Sequence, residues 1–259
     1  MQLSLETLFS LRGKVAVILG GTSGIGQAIT QGYVAAGATV IASSRDRKKV
    51  DSTADEIEAA GGRTLRLTSD VQDRDSLERL CAETVRVFER VDVLVVTSGV
   101  LLKKPTAELT EEEFARVIDC NLNGTFRANQ VFGRQMIRQE GGSIINTCSM
   151  TTFVSFNEVA AYASSKAGVA MLTKTLACEW ARHNIRVNAL APGVFRTPLN
   201  SHVIDLPERS GPILNRTPMA RVGNVDELMG AAVYLASDSA SFVTGIILPV
   251  DGGFLAKGI

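Results

Sequence analysis

Short apolar runs alternate with longer amphipathic stretches along the whole chain. Runs rich in Val and Ile at 14–20, 39–42, 64–67, 92–96, 143–147, 185–190 and 246–250 largely lack polar alternation. That pattern belongs to strands covered on both faces. Between them, the spacing of apolar residues predicts helices near 24–36, 47–60, 73–89, 111–139, 159–182 and 225–236. Thr110 ahead of Glu111, Glu112 and Glu113 reads as a cap followed by an acidic first turn. Strand–helix alternation implies a parallel sheet with helices on both faces, and right-handed crossovers make it doubly wound. The expectation is a single α/β domain over residues 1–259, with a seven-stranded parallel sheet as the middle of three αβα layers. The stretch 195–223 is rich in Pro, Ser, Arg and Asn and has no clear period, so it is expected to be an irregular lid or substrate loop.

Composition removes several functions. The 27 Lys+Arg are balanced by 27 Asp+Glu, so the chain lacks the positive field of a nucleic-acid or anionic-membrane binder. Aromatic residues are 5%, too few for a base-stacking platform. No apolar run approaches the roughly 18–20 residues of a membrane span. The first residues have no cationic start of the kind a secretory signal carries, which leads to a cytoplasmic expectation. Cys81, Cys120, Cys148 and Cys178 form no Cys-x-x-Cys pair and read as small buried residues in a reducing compartment. His183 and His202 are the only histidines, so no metal site is expected.

The first predicted strand runs into Gly20-Gly21-Thr22-Ser23-Gly24-Ile25-Gly26 and then a helix. Glycines let the backbone approach a pyrophosphate, and the helix N-terminus offers free N–H groups and partial positive charge. No Gly-Lys-Ser/Thr follows, which excludes an ATPase loop. At the end of the second strand, a carboxylate would bind the ribose hydroxyls of NAD, whereas a basic residue accommodates the phosphate of NADP. This chain has Ser44 and then Arg45, so NADP(H) is favoured over NAD(H). Lys48 and Lys49 read as a solvated basic face.

Tyr162 and Lys166 are four apart in a predicted helix, which puts phenol and ammonium on one face. A free phenol titrates at about 10, and a neighbouring ammonium favours phenolate. Ser149 follows the apolar run 143–147, at the strand end that faces the ligand crevice.

With these residues in this order, the chain resembles the short-chain dehydrogenase/reductase family over nearly its whole length, which implies a Rossmann-type fold. Gly20, Gly24 and Gly26 fit the family's glycine motif, within which Thr22, Ser23 and Ile25 are expected to meet the cofactor. Asp70-Val71 fits the adenine-contacting pair. Asn121, Ser149, Tyr162 and Lys166 fit the catalytic tetrad. Ser98-Gly99 lies in the family's motif after the fourth strand, and Pro192-Gly193 with Thr197 fits the segment that holds the nicotinamide carboxamide. Asp251-Gly252-Gly253 fits the C-terminal signature. The resemblance implies that Tyr162 moves the proton, Lys166 binds the nicotinamide ribose, Ser149 orients the substrate oxygen and Asn121 positions a relay water.

Two positions depart from the family. Leu19 replaces a Thr before the first Gly, and Val96-Thr97-Ser98-Gly99 replaces Asn-Asn-Ala-Gly. Those polar side chains tie central strands together in the family, and Leu19 with Val96 could make an apolar contact instead. Cys148-Ser149-Met150, Thr197-Pro198-Leu199-Asn200, Arg216-Thr217-Pro218 and Arg221-Val222-Gly223 resemble gluconate 5-dehydrogenases. Asn200, His202, Arg209 and Arg216 could therefore bind a hydroxylated acid. Much of this also recurs in 3-oxoacyl carrier-protein reductases, and a catalytically idle NADP(H)-binding sensor or scaffold is the alternative of another class. A small-molecule substrate and a homotetramer are expected, the latter from long helices with more apolar surface than one sheet face covers.

Overall fold

The computed structural model describes residues 4–197 and 201–258. Six strands, β1 (Val15–Leu19), β2 (Thr39–Ser43), β3 (Val93–Val96), β4 (Gly142–Thr147), β5 (Ile185–Pro192) and β6 (Ile247–Val250), form one parallel sheet in the order β2-β1-β3-β4-β5-β6. The helices are α1 (Leu5–Phe9), α2 (Gly24–Ala35), α3 (Arg47–Ala59), α4 (Arg74–Phe88), α5 (Glu111–Ile118), α6 (Gly124–Arg138), α7 (Ala160–Trp180), α8 (Ser201–Ile204), α9 (Pro207–Arg216) and α10 (Met229–Ala236).

The missing polar alternation has a direct cause. In β1, Val15, Val17 and Leu19 join one apolar layer with residues of α4, α6 and α7, while Ala16 and Ile18 join the other with α2 and α10. Every residue of β1 and β3 is buried. The register pairs Leu19 with Val96, and both belong to the first layer. Thr97 restores the polar tie between these strands, because its Oγ1 donates to Leu19 O at 2.8 Å.

The seventh strand is absent. Residues 64–67 run beside β2 without a regular ladder. Val40 N donates to Arg63 O and Ser69 N donates to Ser44 O. These two bonds have the offset of a parallel pairing of Val40 with Thr64 and Ser44 with Thr68, but among the described residues the backbone ladder bonds between them are not made. Ser43 Oγ fills part of the gap by donating to Leu67 O at 2.7 Å. At the other edge, β6 is only partly buried and carries Pro249, a residue tolerated where no ladder donor is needed.

The stretch 195–223 is also more regular than its sequence suggests, since it holds α8 and α9, the latter with Pro207 in its first turn. Its two ends are pinned together. Gly223 N donates to Val194 O at 2.9 Å and Arg196 N donates to Gly223 O at 3.3 Å. Arg196 and Asp205 form a bidentate pair across it. All four cysteines are free; Cys178 is exposed, contrary to expectation, because it shares the outward face of α7 with Lys174. Among the described residues no helix is long and apolar enough to cross a membrane.

Candidate active site

The chain passes from β1 outward to β2 and then returns to β3 on the other side of β1. That reversal opens a crevice at the carboxyl ends of the strands. A cleft of about 540 Å³ lies there. Its floor is backbone. Gly20 has φ +81°, and a Cβ on it would stand 2.9 Å from Ser98 N; a Cβ on Gly26 would stand 2.1 Å from Gly20 O. These two positions accept no side chain. Ser23 begins α2 without capping it by its own side chain, so first-turn N–H groups are left for an anion.

Ser23, Gly24, Ile25, Ser98, Gly99 and Thr197 line the cleft with Gly20 and Gly26, and Ser44, Arg45, Asp70 and Val71 line it toward β2. Thr22 stands behind the wall, buried, its Oγ1 donating to Ser44 Oγ at 2.8 Å. The Arg45 guanidinium is largely exposed and 3.9 Å from the Asp70 carboxylate. No acid stands at the end of β2. Lys49 is exposed, as a solvated face requires, and it also lines the cleft. Asp46 caps α3 by accepting from Lys48 N and Lys49 N, and Lys49 therefore sits in the first turn beside Arg45. Its place in that turn was the available signal. Cys120, which also lines the cleft, carried no such signal. The cleft is thus a glycine-floored groove with helix N–H donors and two cations at one end, a donor set that fits a phosphorylated dinucleotide.

The tetrad candidates gather beyond Gly99. A Cβ there would meet Asn121 Oδ1 at 3.2 Å and Lys166 Nζ at 3.7 Å. Asn121 is fully buried in a single π-helical turn, Asp119–Asn123, inserted between α5 and α6. Such turns often mark functional positions. Hydrogen bonds to Gln72 and Arg127 hold the Asp119 carboxyl below its usual range and fasten the turn. Asn121 Oδ1 accepts from Val100 N at 2.8 Å, and its Nδ2 donates to Val100 O and to Ser165 Oγ. Ser165 Oγ in turn donates to Tyr162 O. The Asn121 side chain is therefore occupied in joining α7 to the segment after β3.

Lys166 is buried, with Nζ donating to Thr147 O at 2.7 Å and lying 5.7 Å from the centre of the Tyr162 ring. Ser149 caps a short helical turn, Met150–Thr152, its Oγ accepting from Thr151 N at 3.2 Å. Thr152 Oγ1 and Cys148 Sγ both donate to Lys166 O, which seats the Ser149 turn on the turn of α7 that carries the lysine. Burial pushes the neighbouring Cys148 thiol up to about 11 although Lys166 pulls it down. Pro192 ends β5, and Gly193 N donates to Val250 O; a Cβ on Gly193 would lie 2.6 Å from Asp251 Cα.

Of the residues considered for a hydroxylated acid, Asn200 lies outside the described residues, as do the side chains of His202 and Arg209. Arg216 is engaged elsewhere, its guanidinium 4.8 Å from the centre of the Phe254 ring. A cation over an aromatic face is attracted by the ring quadrupole, and apolar periodicity gives no warning of such a contact.

Residues 20–255 match a family model described as Enoyl-(Acyl carrier protein) reductase. The chain is 39% identical over 250 residues to 2-dehydro-3-deoxy-D-gluconate 5-dehydrogenase of Pseudoalteromonas atlantica, covering 96% of this chain and 98% of that protein. It is also 39% identical over 246 residues to the 3-oxoacyl-(acyl-carrier-protein) reductase of Thermotoga maritima, covering 95% of this chain and 99% of that one. The crystal structure of a gluconate 5-dehydrogenase from Burkholderia cenocepacia in complex with NADP and tartrate matches with a TM-score of 0.95 at 34% identity, covering 98% of this chain and all of the other.

Proposed function

The chain belongs to the short-chain dehydrogenase/reductase family, and from that membership we propose that it interconverts a secondary alcohol and a ketone on a sugar acid, with NADP(H) preferred to NAD(H). The observation that carries the reading is the meeting of Lys166, Asn121 and Gly99 where the nucleotide cleft ends, with Tyr162 one helical turn from Lys166. Gly20, Ser23, Gly24, Gly26 and Asp70 would hold the dinucleotide, with Arg45 and Lys49 taking the 2′-phosphate. A bound nicotinamide supplies or accepts the hydride.

The remaining chemistry falls to side chains. In reduction, Tyr162 Oη gives its proton to the carbonyl oxygen as that oxygen gains charge, and in oxidation it takes the proton back. Ser149 Oγ accepts from Thr151 N, which leaves its own hydrogen for the substrate oxygen. Lys166 uses one donor on Thr147 O and keeps two for a ribose and a proton relay. Asn121 holds the π-helical turn in register with Lys166. The sugar-acid assignment draws on the Pseudoalteromonas and Burkholderia relatives.

Exposed Phe114, Phe126 and Met171 on α5, α6 and α7, and exposed Phe242 and Ile246 beside β6, support two separate contacts between copies and hence a homotetramer. A panel of aldonates, keto-aldonates, polyols and a 3-oxoacyl thioester, followed by NADPH and NADH absorbance, tests the reading. Turnover of a keto-aldonate with NADPH is expected. Preference for the thioester would move the protein to the acyl-reductase reading, and no turnover with any substrate would favour an idle binder.

A further inference from the structure

Three side chains from distant parts of the chain meet behind the 195–223 stretch. Phe254, in the C-terminal tail, is 4% exposed. Its ring stacks on Phe156 with centroids 5.7 Å apart and planes 15° apart, and the Arg216 guanidinium lies 4.8 Å from its centre. Arg216 is the last residue of α9, and Phe156 lies between the Ser149 turn and α7.

The tail is built to deliver this ring. Gly252 and Gly253 have φ +63° and +87°, values that L side chains adopt only with strain. The Asp251 carboxylate accepts from Gly253 N and Leu255 N, both at 2.9 Å. Met219 N donates to Gly252 O, and Lys257 Nζ donates to Asn215 O, so the tail grips the stem of α9. The 153–159 segment is braced at its other end. Glu158, at φ +66°, accepts from Lys104 N at 2.7 Å through its carbonyl and pairs with Lys103 at 3.3 Å through its carboxylate. That segment leads directly into the helix bearing Tyr162.

We propose that Phe254 is a positioning residue that couples the seating of α9 to the 153–159 segment, and thereby sets how tightly substrate is held beside Tyr162. Arg216 and Phe156 each contact Phe254, so a change at one reaches the other through that ring. The kinetic consequence rests on the dehydrogenase reading above; the coupling does not.

Hydrogen exchange of the full-length protein with NADPH tests it, using Arg216→Gln, Phe156→Leu, Phe254→Leu and Phe254→Tyr. Arg216→Gln should speed exchange in 153–159 by about fivefold or more, and Phe156→Leu should do the same in 207–216. Phe254→Leu should loosen both segments, and Phe254→Tyr should preserve both. In kinetics, Arg216→Gln should raise substrate KM about tenfold with kcat within about threefold and NADPH affinity unchanged. Exchange changes confined to the mutated segment, or an unchanged KM, would overturn the proposal. Absence of wild-type turnover would instead refute the assigned reaction, and the exchange comparison would still decide the coupling. Should Phe254→Leu fail to fold, the exposed Arg216→Gln variant carries the test alone.

Discussion

At the β1–β3 crevice the close contacts are backbone against backbone: a Cβ on Gly26 would stand 2.1 Å from Gly20 O. Around α9 the defining contacts are side chains drawn from residues 156, 216 and 254. The first region is specified by residues adjacent in sequence and has almost no freedom to accept a change. The second is assembled from three separate stretches, and each contact is individually small. A fold that must hold one invariant ligand part and adapt to varied substrates gains from this division.

The largest expected effect is in the rigid region. Gly26→Ala must displace the carbonyl of the phosphate-binding turn, and NADPH affinity should fall about 100-fold, equal to about 2.7 kcal/mol, in a fluorescence titration. Binding within about threefold of wild type would show that the turn yields. On the adaptable side, replacing residues 201–216 by those of a relative should shift the ratio of kcat/KM between two substrates about tenfold and leave NADPH affinity within about twofold. A change in nucleotide choice instead would erase the division between the regions.

A smaller effect is expected at the mouth of the cleft. Arg45→Ala should raise the KM for NADPH about tenfold and leave that for NADH near wild type; equal rises for both would assign Arg45 to general nucleotide binding. Smallest is Thr97→Val, which removes the bond from Oγ1 to Leu19 O. One lost hydrogen bond costs about 1 kcal/mol, so thermal unfolding should drop by roughly 2–4 °C. A stability equal to wild type would mean that the backbone ladder, with Thr97 N on Leu19 O, holds these strands without the side-chain bond.

How much could be read from the sequence follows the same line. The glycine turn, the Thr110 cap with Glu113, and the spacing of Tyr162 and Lys166 are local, and local spacing fixes which groups share a face. The apolar run at 64–67 predicts a strand because composition reports burial, while a strand also needs a continuous ladder; the backbone bonds form only at the two ends, and Ser43 bonds between them through its side chain. Lys49 reads as solvated, and only its place in the first turn of α3, where a cation opposes the helix dipole, points to an anionic partner. Neither α8 nor α9 has an apolar stripe long enough to announce it. The Arg216–Phe254–Phe156 stack joins residues up to 98 positions apart, and no periodicity encodes such a pairing.

The central claim is that this groove performs hydride chemistry with Tyr162 as the proton donor. The most direct measurement is Tyr162→Phe, assayed for turnover and for NADPH binding in the same preparation. The ring beside Lys166 is kept and only the hydroxyl is removed, so kcat should fall by about 10²–10⁴ while the NADPH Kd stays within about twofold of wild type. Turnover within about threefold of wild type would contradict the account.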